Sequence, residues 1–114
     1  MILGIGLDIV DLHRFNDLAS NKKFVEKYFH KSESELNDQS LAGRFAAREA
    51  LYKALNNKDL YNLDGIEIIN ESDGSPKFVF YHQMALFLDS KKIHLSISHL
   101  PEYAIALVII EEIK

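Results

Sequence analysis

The run Leu3-Gly4-Ile5-Gly6-Leu7-Asp8-Ile9 constrains this chain more than any other segment. Apolar side chains alternate with glycine, glycine and aspartate, so a strand here has one greasy face and one nearly bare face, with Asp8 on the bare side. Glycine inside a strand costs stability and marks close approach by another backbone or a ligand. The pattern therefore predicts open space beside a carboxylate near the start of the chain.

A second run, from Arg44 through Phe45, Ala46, Ala47, Arg48, Glu49, Ala50, Leu51, Tyr52 and Lys53 to Ala54, predicts a helix. At 3.6 residues per turn, Leu41, Phe45, Tyr52 and Leu55 fall on one apolar arc. Glu49 lies at the edge of that arc, in a stripe with Ala42, Ala46 and Lys53, while Gly43, Ala47, Ala50 and Ala54 cover much of the rest. So many small residues allow close approach from most sides. A carboxylate in that setting needs a partner, which Lys53, a metal ion or solvent can supply.

The remaining pattern fills in an order of elements. Residues 13–20 and 22–30 read as short helices, and Ser32 with Glu35 fits a capping box for a further helical turn. Ser40 is expected to cap the Ala-rich helix, which Asn56 and Asn57 end. Residues 65–70 and 77–80 form a hairpin around the turn Ser72-Asp73-Gly74-Ser75-Pro76, and residues 82–89 are helical. Ile93, Leu95 and Ile97 alternate with His94, Ser96 and Ser98 in a half-buried strand, which turns at Leu100-Pro101-Glu102 into the apolar strand 103–110. With no linker or repeat, this is an α+β chain in one domain, 1–114, with antiparallel strands packed against a long Ala-rich helix.

At 114 residues the chain can build one core but has little spare wall for a deep pocket, which favours a site shared between subunits. With 47% hydrophobic and 26% charged residues, it reads as an ordinary soluble globular protein. The lack of cysteine excludes disulfides and thiolate metal sites and is compatible with a reducing cytoplasm. The run from Tyr103 to Ile110 falls far short of the roughly 20 apolar residues of a membrane helix, and the N-terminus has no basic leader, so neither a membrane span nor a secretory signal is expected. A net charge of -4 argues against nucleic-acid binding. Residues 13–31 nevertheless hold Arg14, Lys22, Lys23, Lys27 and Lys31 against only Asp17 and Glu26. That stretch reads either as a solvated face or as a patch for an acidic partner.

Asp8 and Glu49 are remote in the chain, so only tertiary structure brings them together. Joined, they make a hard oxygen site suited to Mg²⁺, which takes one or two carboxylates and completes its shell with water and substrate phosphate. Lys53, Arg44 and Arg48 are the cations at hand to neutralise phosphate. The alternative is a plain i to i+4 Glu/Lys pair and an Asp ending a strand. Ser98 and His99 cannot be a catalytic pair by sequence, because neighbours on a strand point to opposite faces. His99 fits a phosphate contact or a turn cap. No two histidines have helical zinc spacing, and no nucleotide-binding glycine fingerprint is present.

Taken together, these residues resemble the short class of the 4'-phosphopantetheinyl transferase family, the holo-acyl-carrier-protein synthases. Gly4 through Asp11 is similar to the family's first motif, Gly43 through Ala50 with Lys53-Ala54 to its second, and Ser96-Ile97-Ser98-His99 to its third. The likeness runs essentially end to end. It implies transfer of the phosphopantetheine arm of coenzyme A to a serine of apo acyl carrier protein, with release of adenosine 3',5'-bisphosphate. By motif position it implies Asp8 and Glu49 as Mg²⁺ ligands and Lys53 beside the breaking bond. Arg44, Arg48, Ser98 and His99 would act at the coenzyme, Gly74 and Pro76 in a turn near it, and Arg14 in gripping the carrier protein. Glu49, directly or through a metal-bound water, is the implied acceptor of the serine proton.

The resemblance also implies a homotrimer with sites between subunits. This chain departs from the pattern at Ser75, where relatives carry Lys or Arg, with Lys77 as the replacement at hand, and in a shortened stretch between Lys31 and Ser40. Two other classes compete with the transferase: a non-catalytic module docking acidic carriers through residues 13–31, and a metal-dependent phosphatase or nucleotide hydrolase on the same carboxylates.

Overall fold

The computed structural model describes residues 1–113. Strand β1 (Ile2–Asp11) leads into α1 (Leu12–Ala19) and α2 (Lys22–Tyr28), then the long helix α3 (Asp38–Ala54). The hairpin β2 (Ile66–Asn70) and β3 (Pro76–Phe80), helix α4 (His82–Leu88), and strands β4 (Lys91–His99) and β5 (Tyr103–Glu112) complete the order. The expected α+β arrangement is present, with element ends within a few residues of the sequence reading. Strands β1, β5 and β4 form one antiparallel sheet in that order, and β2 with β3 forms another. Among the described residues no helix is long and apolar enough to cross a membrane.

Short polar side chains start the helices. Asp11 Oδ1 accepts the His13 and Arg14 amides at 2.9 and 3.3 Å, and Asn21 Oδ1 accepts those of Lys23 and Phe24, each satisfying donors that a first turn leaves free. Two expected caps are corrected. Asn37, not Ser40, caps α3, its Oδ1 accepting the Ser40 amide at 2.8 Å. Asn37 serves the free donors one turn earlier, and Ser40 falls inside the helix. Ser32 caps no helix with Glu35. It sits in a short 3₁₀ turn, Lys31–Glu33, started by His30, and its hydroxyl donates to Glu67 on β2 at 2.6 Å.

The bare face of β1 is also corrected. It is not open, because the backbone of α3 fills it. A Cβ on Gly4 would lie 1.9 Å from the Ala54 carbonyl oxygen, and one on Gly6 would lie 1.7 Å from that of Ala50. The glycines thus seat the helix main chain directly on the strand. Small residues continue the seam, since Ala42, Ala46, Ala47 and Ala50 of α3 and Ala104 and Ala106 of β5 are fully buried. The greasy face of β1 points outward instead, leaving Ile5, Leu7 and Ile9 more than half exposed. An aromatic cluster of Phe15, Phe24, Tyr28, Phe29 and Phe45 closes the core where α1 and α2 meet α3.

Candidate active site

Past Gly6, the same face of β1 carries Asp8, which clears the helix and meets a cavity of about 670 Å³. Glu49, projecting from α3, lines that cavity too, along with Arg14 of α1, Phe45 and Tyr103. The structure therefore joins the two remote carboxylates. The Lys53 ammonium donates to Asp8 Oδ1 and to the Leu7 carbonyl, both at 2.9 Å. Lys53 thus reaches across to the strand and makes no ion pair with Glu49, its neighbour one helical turn away.

Glu49 is held differently. The Tyr28 hydroxyl, at the end of α2, donates to Glu49 Oε2 at 2.6 Å. Burial, the neighbouring Tyr61 and the Glu49 carboxylate together hold the Tyr28 phenol well above its ordinary pKa. Burial and the Glu49 charge push Tyr61 up to about 12, and among the described residues its buried hydroxyl makes no hydrogen bond to Glu49. Among the described residues no three His, Cys, Asp or Glu side chains gather to enclose a metal. Two carboxylates on an open cavity, one of them without a cationic partner among the described residues, fit a hard divalent ion that keeps most of its shell for water and phosphate.

The remaining residues divide. Arg44, Gly74, Pro76 and His99 line a second, smaller cavity of about 220 Å³ with Asn70 and Gln39. There the Arg44 guanidinium donates to the Ile68 carbonyl and to Asn70 Oδ1, and burial lowers its pKa against the opposing pull of Glu33. Gly74 takes φ 89°, the left-handed value its turn requires. Ser75 does not face the cavity with its hydroxyl, which donates to Asp73 Oδ1 at 2.6 Å. Nor does Lys77 replace the missing basic residue there, since it lines a separate cavity with Lys91 and Lys92.

Two sequence expectations are corrected. Arg48 is wholly buried, and its two terminal nitrogens donate to Glu33 at 2.9 and 2.6 Å, over the ring of Phe29. No part of it is left for a nucleotide, because a guanidinium removed from water needs a carboxylate partner. Ser98 lies on the exposed face of β4, opposite Ile105, and lines neither cavity, while its neighbour His99 does. Sequence reasoning missed Glu33 and Tyr28. Glu33 had no periodic signal, and Tyr28 read as one aromatic among several.

A family model described as the 4'-phosphopantetheinyl transferase superfamily matches residues 4–108. Among curated proteins, the holo-(acyl-carrier-protein) synthase of Borrelia hermsii is 38% identical over 98% of this chain and 100% of its own. That of Anoxybacillus flavithermus is 38% identical over 100% and 99%. Among solved structures, a holo-(acyl-carrier-protein) synthase from Bacillus anthracis in complex with CoA (3',5'-ADP) is 33% identical, with a TM-score of 0.82 over 99% of both chains. The Neisseria meningitidis enzyme, 27% identical, reaches 0.86 over 98% of this chain and 100% of its own.

Proposed function

The chain belongs to the 4'-phosphopantetheinyl transferase superfamily as a holo-acyl-carrier-protein synthase, and from that premise we propose that Asp8 and Glu49 hold a Mg²⁺ ion on the larger cavity. The enzyme transfers the 4'-phosphopantetheine moiety of coenzyme A to a serine of apo acyl carrier protein and releases adenosine 3',5'-bisphosphate. The observation that carries the metal assignment is that Asp8 and Glu49 line the same cavity. When bound, the ion polarises the pyrophosphate and offsets charge on the leaving phosphate.

The chain's own groups do the rest. Lys53, half exposed and fixed by Asp8 and the Leu7 carbonyl, stands ready to swing its ammonium to the coenzyme phosphate as charge accumulates there. Glu49, directly or through a water held at the ion, takes up the proton of the attacking serine. Arg14, on the rim of the same cavity, grips the acidic carrier protein. Arg44, Gly74, Pro76 and His99 receive the nucleotide end in the smaller cavity.

The two cavities belong to one site in a homotrimer, the larger from one subunit facing the smaller from its neighbour. The outward Ile5, Leu7, Ile9 and Leu107 of the β1–β5 sheet support that assembly, since an apolar patch of this kind marks an interface. The setting is the cytoplasm. Mass spectrometry of an apo carrier protein incubated with the chain, coenzyme A and Mg²⁺ tests the reaction, and a chelator should abolish the phosphopantetheine mass gain. Activity that persists without divalent metal overturns the metal assignment. Leu7→Lys should sediment as a monomer, and a trimer that withstands it removes this face as the interface.

A further inference from the structure

Glu49 has one oxygen engaged and one free. Oε2 accepts from Tyr28 at 2.6 Å, and among the described residues no hydrogen bond goes to Oε1. The Tyr28 ring is itself fixed, stacked at 4.8 Å and 28° on Phe45 and at 5.4 Å and 22° on Phe24. Phe45 lies one helical turn before Glu49 on α3, so helix, ring and carboxylate form a closed set of contacts. Such a carboxylate cannot turn freely about its last torsion, because turning breaks the hydrogen bond or unstacks the ring. Groups that orient a metal ligand in this way raise affinity by removing rotamer freedom before the ion arrives.

We propose that Tyr28 is a positioning residue that locks the Glu49 carboxylate by its Oε2, presenting Oε1 to the divalent cation. The proposal rests on the reading of Glu49 as a metal ligand and adds a device on α2 that the motif residues do not contain. Tyr61 provides an internal contrast. Its hydroxyl is buried near the same carboxylate, whose charge it feels, but among the described residues it makes no hydrogen bond to it, so it exerts no lock on Glu49.

The test compares Tyr28→Phe, Tyr61→Phe and Glu49→Gln, with Mn²⁺ binding read by paramagnetic resonance in the presence of coenzyme A and transfer measured against Mg²⁺ concentration. Tyr28→Phe keeps the stacked ring and should weaken Mn²⁺ binding and raise the half-saturating Mg²⁺ concentration by roughly tenfold or more. Its KM for coenzyme A should stay near that of the unaltered chain while its metal affinity falls, a split that a general loss of structure would not give. Tyr61→Phe should bind Mn²⁺ as the unaltered chain does.

Unchanged Mn²⁺ affinity in Tyr28→Phe, with binding lost in Glu49→Gln, overturns the lock and leaves the metal assignment standing. Undiminished binding in Glu49→Gln overturns both. Should Tyr28→Phe not fold, the unaltered chain supplies the measurement. Adding Mg²⁺ with coenzyme A should perturb its tyrosine ultraviolet band, because the cation weakens the acceptor to which Tyr28 donates, and a silent band overturns the proposal.

Discussion

Two of the acid and base pairings on helix α3 share chemistry and differ in setting. Arg48 meets Glu33 at 2.6 Å with neither side chain more than 1% exposed, whereas Lys53 meets Asp8 at 2.9 Å with 52% of the lysine side chain in solvent. The first is enclosed: Glu33 also accepts the Ile68 amide at 3.3 Å, and Arg48 reaches the Ile66 carbonyl, while Arg48 Nε is buried with no partner among the described residues. It ties α3 and the 3₁₀ turn to β2. The second has a partner that water or phosphate can replace at little cost. A pair sealed from water fixes geometry, and a pair open to water can exchange partners during a reaction.

The largest expected effect breaks the sealed pair. Glu33→Ala leaves a buried guanidinium uncompensated and should cost about 3–5 kcal/mol, read from urea denaturation. A loss below about 1 kcal/mol would mean that the pair is not what holds α3 to the hairpin.

Next in size, Asp8→Asn should leave the urea midpoint nearly unchanged but lower kcat roughly 100- to 1,000-fold, since the lost charge holds Lys53 and, on the proposed reading, the cation. Turnover near that of the unaltered chain would remove Asp8 from the chemistry. Lys53→Ala sharpens the contrast further. It should slow transfer about 10- to 100-fold, the worth of one charge-assisted hydrogen bond, with under about 1 kcal/mol of stability lost.

The smallest effect lies between the extremes, at Glu67. The Ser32 hydroxyl, then that of Tyr81, hold its carboxyl below the usual range. A folded-state pKa below the unfolded one stabilises the fold above about pH 4.3, and that contribution is lost as pH falls through the lower folded value. Glu67→Gln should therefore lower Tm by about 2–4 °C at pH 7, and the difference should close in acid. A gap that persists at low pH would assign the effect to packing.

What the sequence made legible follows from how local each signal was. The strand periodicities of β1, β4 and β5 and the length of α3 depend on neighbouring residues and were readable, and Asp8 and Glu49 stood out within their runs, but only the fold puts both on one cavity. The direction in which β1 faces was not. Glycine signals close approach without saying whether a ligand or a helix approaches, and here Ala50 and Ala54 of α3 take the space. Arg48 and Arg44 look alike in the sequence and both turn to Glu33, but Arg48 is fully buried and held there by two hydrogen bonds, whereas Arg44, 3.7 Å from the same carboxylate, also lines the smaller cavity.

The glycine seam bears on how such an enzyme can change over time. Main chain rests on main chain there, so the spacing between the acid on the strand and the acid on the helix does not depend on the volume of any intervening side chain. Substitutions elsewhere in the interior can be absorbed by repacking while that spacing stays constant. Tolerance is thus concentrated away from two positions, and at Gly4 and Gly6 even a single added methyl group would wedge strand and helix apart.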